Sequence, residues 1–259
     1  MNLTDDEVLK FQRGSPVLLD DICAIYSVTV GEIVDIGYSK FQQYLGILTT
    51  TKPLANPKND DEMNQLLDQI TDYQYILLMT QMDKEVERLL KLSFNFFTHE
   101  DIQISLDPPQ IIIGDSESQN ILSEEKFYDL QHILRRMYFL EQEGEEIVIN
   151  PDDDAAVKRL KLQMRANRDK VRRAKAKQAQ REKSDLNFSD LIGSITINNC
   201  GLNMDNIWNI TYYALQDQLK RMGWRDQFLI NNQAALAGAK LKKNQLKHWI
   251  RSIADNDKS

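Results

Sequence analysis

The residue types able to do acid–base, nucleophilic or metal chemistry are scattered through this chain and do not converge in sequence. Its three histidines, His99, His132 and His248, stand alone. No His-x-x-x-His, Cys-x-x-Cys or Glu-x-x-His pair occurs, so the spacing offers no metal-ligand set. The glycines Gly31, Gly37, Gly114, Gly144, Gly223 and Gly238 come singly, as caps and turns use them, and none opens a phosphate-cradling loop. No serine sits in a nucleophile elbow. The carboxylates Glu145-Glu146 and Asp152-Asp153-Asp154 fall in polar runs. A catalytic acid–base pair needs burial to separate its two pKa values, whereas a polar run points to a solvated edge. The expectation is a binding protein with no catalytic residue, no cofactor and no metal.

One charged feature stands out. From Lys158 to Lys183 the chain carries Lys or Arg at short intervals, including Arg165, Arg168, Arg172 and Arg173, with Ala, Gln, Leu and Met between them and no Gly or Pro. That composition favours a helix, and the acidic Asp152-Asp153-Asp154 before it suits the helix dipole. The charges lie on every face and no aromatics interleave for base stacking. Three readings stand side by side: a solvated helix, a contact with an acidic protein surface, and a contact with nucleic-acid phosphate.

The totals bound the class. The 259 residues are 42% hydrophobic and 8% aromatic, enough for a real core. The net charge of −7 disfavours a general nucleic-acid coat. Cys23 and Cys200 lie far apart. One disulfide is conceivable, but two reduced, buried thiols suit a chain without secretory context better. The opening Met1-Asn2-Leu3-Thr4-Asp5-Asp6-Glu7 is acidic and lacks the apolar stretch of a signal peptide. Apolar runs such as Tyr75-Ile76-Leu77-Leu78-Met79 are core-sized, too short for a membrane span. A cytoplasmic protein is expected.

The elements that must position these residues read as mainly α: a multi-helix globular protein with a small β-hairpin or ribbon and one long projecting basic helix. Residues 17–28 read as extended around Asp20-Asp21. Thr29-Val30-Gly31-Glu32 has the form of a capping box, predicting a short helix to Ile36 that stops at Gly37. Ser39 is placed to cap a helix from Lys40 to Thr50, with Phe41, Tyr44, Leu45 and Leu48 at helical spacing. Pro53 and Pro57 break the chain. Three helices follow: Asp61 to Ile70, with Met63, Leu66 and Leu67 on one face; Tyr73 to Met82, capped by Asp72; and Lys84 to Phe97, capped by Asp83. The last carries Val86, Leu89, Leu90, Phe94 and Phe97 as an apolar stripe.

The period then changes to two. Ile102 to Leu106 and Ile111 to Ile113, joined through Asp107-Pro108-Pro109, predict a hairpin, with 147–149 as a third strand. Between them Ser123 caps a helix to Gln142, with Phe127, Leu130, Ile133, Leu134, Met137 and Tyr138 facing inward. A short helix around Phe188 to Ile195 follows the basic run. A strong one is predicted from Ile207 to a stop at Gly223, capped by Asn203 or Asn206 and lined by Trp208, Tyr212, Leu215, Leu219 and Met222. Leu246, Trp249, Ile250 and Ile253 mark a final amphipathic helix. The division expected is an α-rich domain with a small β-ribbon over 1–150, a basic helix or linker over 151–185, and a C-terminal helical segment over 186–259.

Two stretches carry a resemblance. Trp208-Asn209-Ile210-Thr211-Tyr212-Tyr213-Ala214-Leu215-Gln216-Asp217-Gln218 is followed by Ala237-Gly238-Ala239-Lys240 and Leu246-Lys247-His248-Trp249. This resembles the end of small proteins encoded in the tail-morphogenesis region of tailed phages and prophages of Gram-positive bacteria. Thr29-Val30-Gly31-Glu32-Ile33, with Tyr38 and Tyr44, is similar to their Thr-Leu-Gly-Glu-Ile opening. The likeness covers the two ends, and the middle adds no motif. It implies a phage tail assembly chaperone whose partner is the tape measure protein or another tail protein. Self-association and nucleic-acid binding are secondary expectations. The expected location is the host cytoplasm, or the virion should the protein be structural. The contact residues expected from the two readings together are Arg165, Arg168, Arg172, Arg173, Trp208, Tyr212 and Trp249.

Overall fold

The computed structural model describes residues 5–53, 67, 69–114, 120–140, 154, 156–164, 167, 187–198, 201–240 and 248–250. The architecture is mainly α, with eight named helices among the described residues: α1 (Asp5–Arg13), α2 (Val30–Ile36), α3 (Tyr38–Leu48), α4 (Asp72–Met82), α5 (Lys84–Thr98), α6 (Glu124–Met137), α7 (Phe188–Asn198) and α8 (Tyr212–Leu236). Two small antiparallel sheets accompany them. One pairs β1 (Val17–Leu19) with β2 (Cys23–Ile25), and the other runs β3 (Ile102–Leu106), β4 (Pro109–Ile113), β5 (Asn120–Leu122) in that order.

Local chemistry fixes most of the boundaries. At α2 the Thr29 hydroxyl accepts the Glu32 N–H at 3.2 Å while Glu32 accepts the Thr29 N–H at 2.7 Å, the reciprocal box the sequence predicts. Gly37 ends the helix at φ +89°, a conformation that favours glycine, and its N–H returns to Ile33 and Val34. Its carbonyl accepts from Lys40 and Phe41, so α3 begins at Tyr38 without a side-chain cap rather than at Lys40 behind Ser39. The far end of α3 stops at Leu48, short of the expected Thr50. There the α6 side chains Gln131 and Arg135 take the carbonyls of Leu48, Thr49 and Thr50 at 2.9–3.1 Å. Those carbonyls have no partner within the helix, and a neighbouring element supplies one.

Other boundaries shift for equally local reasons. Thr71, not Asp72, caps α4, in a second reciprocal box with Gln74. Asp72 instead accepts the Lys52 N–H at 2.8 Å. Asp83 caps α5 and Ser123 caps α6 as expected. Helix α6 ends at Met137, because Phe139 turns to φ +55° and the Leu140 N–H reaches back to Arg135 at 2.7 Å. Strand β5 pairs with β4, and the strand expected at 147–149 lies outside the described residues. The Tyr73 hydroxyl pins β5 to β4: it donates to the Leu122 carbonyl at 2.8 Å and accepts the Ile111 N–H at 3.0 Å.

The C-terminal helix departs most from the sequence pattern. Ile207–Asn209 is a single 3-10 turn, Ile210 is extended, and Thr211 caps α8. Helix α8 then passes through Gly223 to Leu236. A helical glycine costs only about 1 kcal/mol against alanine, and good helix formers flank this one. Residues 248–250 are not helical, against the final amphipathic helix expected there. The rest of that stretch lies outside the described residues. So do the expected helix from Asp61, apart from Leu67, Gln69 and Ile70, and most of the basic helix, of which residues 156–164 and 167 are helical.

The main core joins α1 through α6, both sheets, and Tyr212 and Tyr213 of α8. A second, smaller cluster gathers Val30, Ile192, Ile195, Ile207 and Leu215, with Phe188 packed against both. The start of α8 is thus built into the core of elements that precede it by more than 70 residues.

Candidate interaction site

The two stretches that carry the resemblance meet in space. Thr29 and Thr211 form an isolated antiparallel bridge. The Val30 N–H donates to the Ile210 carbonyl at 2.9 Å, and the Tyr212 N–H donates to the Val28 carbonyl at 2.9 Å. Two helix N-termini, those of α2 and α8, therefore start from one shared junction. The Thr211 hydroxyl caps α8 by accepting the Ala214 N–H at 3.0 Å and donates to the Phe11 carbonyl at 2.8 Å. Gly31 faces Trp208 so closely that an added Cβ would stand 3.0 Å from the Trp208 carbonyl oxygen. The sequence showed each stretch as a local motif, while their pairing across 180 residues left no signal in periodicity or composition.

Tyr212 and Trp208 take different places at this junction. The Tyr212 ring is buried, with Phe41 at 5.4 Å, Tyr138 at 5.7 Å and Phe188 at 6.3 Å between centroids. Trp208 lies in the 3-10 turn, about one third exposed, its indole N–H donating to the Met204 carbonyl at 2.6 Å. Behind the junction, Asp217 is 4% exposed. It accepts Gln12 Nε2 from α1 at 2.9 Å and Arg221 Nε at 2.9 and 3.1 Å. These bonds tie α1 to α8 through a nearly buried carboxylate. Asp217→Ala is expected to lower stability by about 2 kcal/mol, the range for hydrogen bonds to a charged group. Urea unfolding that matches the parent would show that this tie contributes nothing.

Several buried tyrosines and one buried thiol titrate late. Burial pushes the Cys23 thiol up to about 11, and the Glu100 carboxylate adds to the rise. Burial, reinforced by the Asp217 charge, pushes Tyr213 up to about 12. Burial also raises Tyr73, Tyr138 and Tyr212. Folded, these groups keep their protons and stay neutral to higher pH than they do in the unfolded chain. Their contribution is complete below the ordinary values of 9.0 for Cys and 10.0 for Tyr and is lost as pH climbs through the folded values. The melting temperature should fall steadily from about pH 9 upward, and a flat profile to pH 11.5 would contradict this.

Between α7 and α8 a cleft of about 300 Å³ opens, lined by Ile195, Asn198, Gln218, Arg221, Met222, Arg225 and Trp249. Arg221 is held by Asp217, whereas among the described residues Arg225 pairs with the adjacent, exposed Asp226 at 3.4 Å. Trp249 forms one wall, and its neighbour His248 makes an edge contact with Phe228 of α8 at 5.1 Å. Of the seven contact residues expected from sequence, Trp249 lines the cleft, Trp208 and Tyr212 sit at the junction, and Arg165, Arg168, Arg172 and Arg173 lie outside the described residues. Sequence reading placed Met222 on a helix face but missed Arg225, which lies beyond the stop expected at Gly223.

No group of three or more His, Cys, Asp or Glu residues is placed to hold a metal among the described residues, and no described helix is long and apolar enough to cross a membrane. Residues 176–254 match the YomV second domain family, a phage-type family. The match takes in α7, the Ile210–Tyr212 side of the junction, α8 and Trp249, less than a third of the chain. No curated protein and no solved structure shows significant similarity.

Proposed function

We propose that this protein is a non-enzymatic phage assembly factor, a tail assembly chaperone that binds the tape measure protein in the host cytoplasm. The observation that carries the reading is the junction itself. The two stretches resembling tail-region proteins, nearly 180 residues apart, are the two halves of one structural joint. A chance likeness at either end has no reason to pair in space. The phage-type match over residues 176–254 adds to this. The residue roles agree: Thr29, Gly31, Thr211 and Tyr212 are engaged in holding the fold, which leaves recognition to the surface of α8 and to the basic segment.

A chaperone for a long helical client needs an exposed helical face with moderate affinity, so that the client is held and later released. Helix α8 supplies such a face, since none of its residues beyond Asp217 is buried. Arg165, Arg168, Arg172 and Arg173 provide charge to steer the encounter, and Trp249 and Trp208 provide apolar anchors. Co-expression with a phage tape measure protein should yield a soluble complex on affinity purification. Two well-behaved proteins that never co-purify would refute the reading. Mass spectrometry of purified particles should lack this chain, and its presence there would move it to the structural components of the virion.

A further inference from the structure

We infer that the α7–α8 cleft and the α8 face that continues from it form a groove for an acidic amphipathic helix of a protein partner. Helical geometry is the first ground. Gln218, Met222, Arg225, Leu229 and Leu236 recur at intervals of four, three, four and seven, so they share one face of α8. Gln218, Met222 and Arg225 line the cleft. Leu229 and Leu236 extend the same face and are 50% and 89% exposed. From Gln218 to Leu236 that face runs about 27 Å at 1.5 Å per residue, the length of a helix of about five turns. Ile195 and Asn198 of α7 wall one side of its inner end, and Trp249 is part of the same lining.

Charge is the second ground, and it selects the occupant. Residues 207–250 carry seven Lys/Arg against two Asp/Glu, while residues 1–150 carry 11 against 27. Helix α8 thus belongs to a basic stretch of an acidic sequence. Within it, Asp217 neutralises Arg221, and among the described residues Arg225 pairs with the solvent-exposed Asp226. Exposed pairs of that kind hold their partners weakly, so Arg225 can exchange Asp226 for an incoming carboxylate. Met222 and Trp249 offer an adaptable apolar floor for Leu, Ile, Met or Phe side chains. An occupant with acidic residues along one flank and large apolar residues at i, i+4 and i+7 satisfies both requirements.

The inference rests on the assembly role above for the partner's identity, and its own test does not. A fluorescent amphipathic peptide of about 18 residues spans the groove, with Leu on one face and Glu on the other; a second peptide replaces Glu with Lys. Anisotropy with the full-length chain should show saturable binding of the Glu peptide and none of the Lys peptide, weakening as salt rises. Arg225→Glu and Trp249→Ala should each weaken it about tenfold. Lys84→Glu, the same charge change on α5 far along the sequence, should leave it unchanged. Equal binding of both peptides, or equal loss with Lys84→Glu, would overturn the groove. So would a free chain that sediments as a dimer split by Leu229→Glu, since a second copy would then occupy the face. A chain that solubilises its tape measure protein yet binds neither peptide keeps the assembly role and loses this site. A chain that binds the Glu peptide through Arg225 but no client keeps the site and loses the role.

Discussion

Tyr212→Ala is expected to destabilise the protein by about 3–5 kcal/mol, the range for deleting a buried aromatic side chain. The ring touches Phe41 of α3, Tyr138 after α6 and Phe188 of α7, so one truncation removes contacts to three elements at once. Tyr212 is also the first residue of α8, and its N–H makes one of the two junction bonds. The loss should appear as a lower urea midpoint with an unchanged slope, since the surface exposed on unfolding barely changes. Tyr212→Phe separates the ring from the hydroxyl and should cost much less. A Tyr212→Ala protein within about 1 kcal/mol of the parent would show that the junction is not part of the cooperative core.

Gly31→Val comes second. A Cβ at this position meets the Trp208 carbonyl oxygen at 3.0 Å and the Trp208 Cβ at 3.5 Å. The first of these is backbone held in the 3-10 turn, so the obstacle cannot rotate away as a flexible side chain would. Overpacking of this kind costs about 1–3 kcal/mol, and a branched side chain belongs at the upper end. Gly46→Ala supplies the control. Gly46 lies within α3 and a Cβ there meets nothing within 4 Å. Replacing a helical glycine by alanine at such a site is expected to stabilise by up to about 1 kcal/mol. Opposite signs for two glycine substitutions would establish close approach, rather than helix propensity, as the reason for Gly31. The same sign for both would remove that reason.

These two substitutions test a joint that has a bearing on function. Helix α8 begins inside the main core and ends exposed, so the junction sets the direction in which its outer half points. A groove on that outer half can present a constant shape only if the buried end is rigid. Loosening the junction should therefore weaken partner binding without altering any residue of the cleft. Arg225→Glu should weaken binding with stability unchanged.

Individual residues show how far the amino-acid order alone reaches. The Thr29–Glu32 box, the Gly37 stop, the Asp83 and Ser123 caps, and the alternation of β3 and β4 are all decided within a few residues, and each was legible for that reason. The mainly α class followed from the same local periods. Where a competing local option existed, neighbours in space chose between them. Thr211 prevailed over Asn203 and Asn206 as the cap of α8 because its hydroxyl and the flanking backbone also bond to Phe11, Val28 and Val30. Helix α3 stops at Leu48 where Gln131 and Arg135 reach its carbonyls. Strand β5 exists because β4 and Tyr73 receive it.

The candidate site divides along the same line. Trp249 and the apolar spacing of the C-terminal region were visible in the sequence, because hydrophobicity belongs to each residue separately. The cleft was not, since it requires α8 to run past Gly223, α7 to lie alongside, and Trp249 to return against Met222. Helix caps and strand alternation are governed by hydrogen bonds and side-chain periods only a few residues long, so the order of residues sets them. The junction of Thr29 with Thr211, and the groove it positions, depend on packing between distant segments, and only the folded chain could decide them.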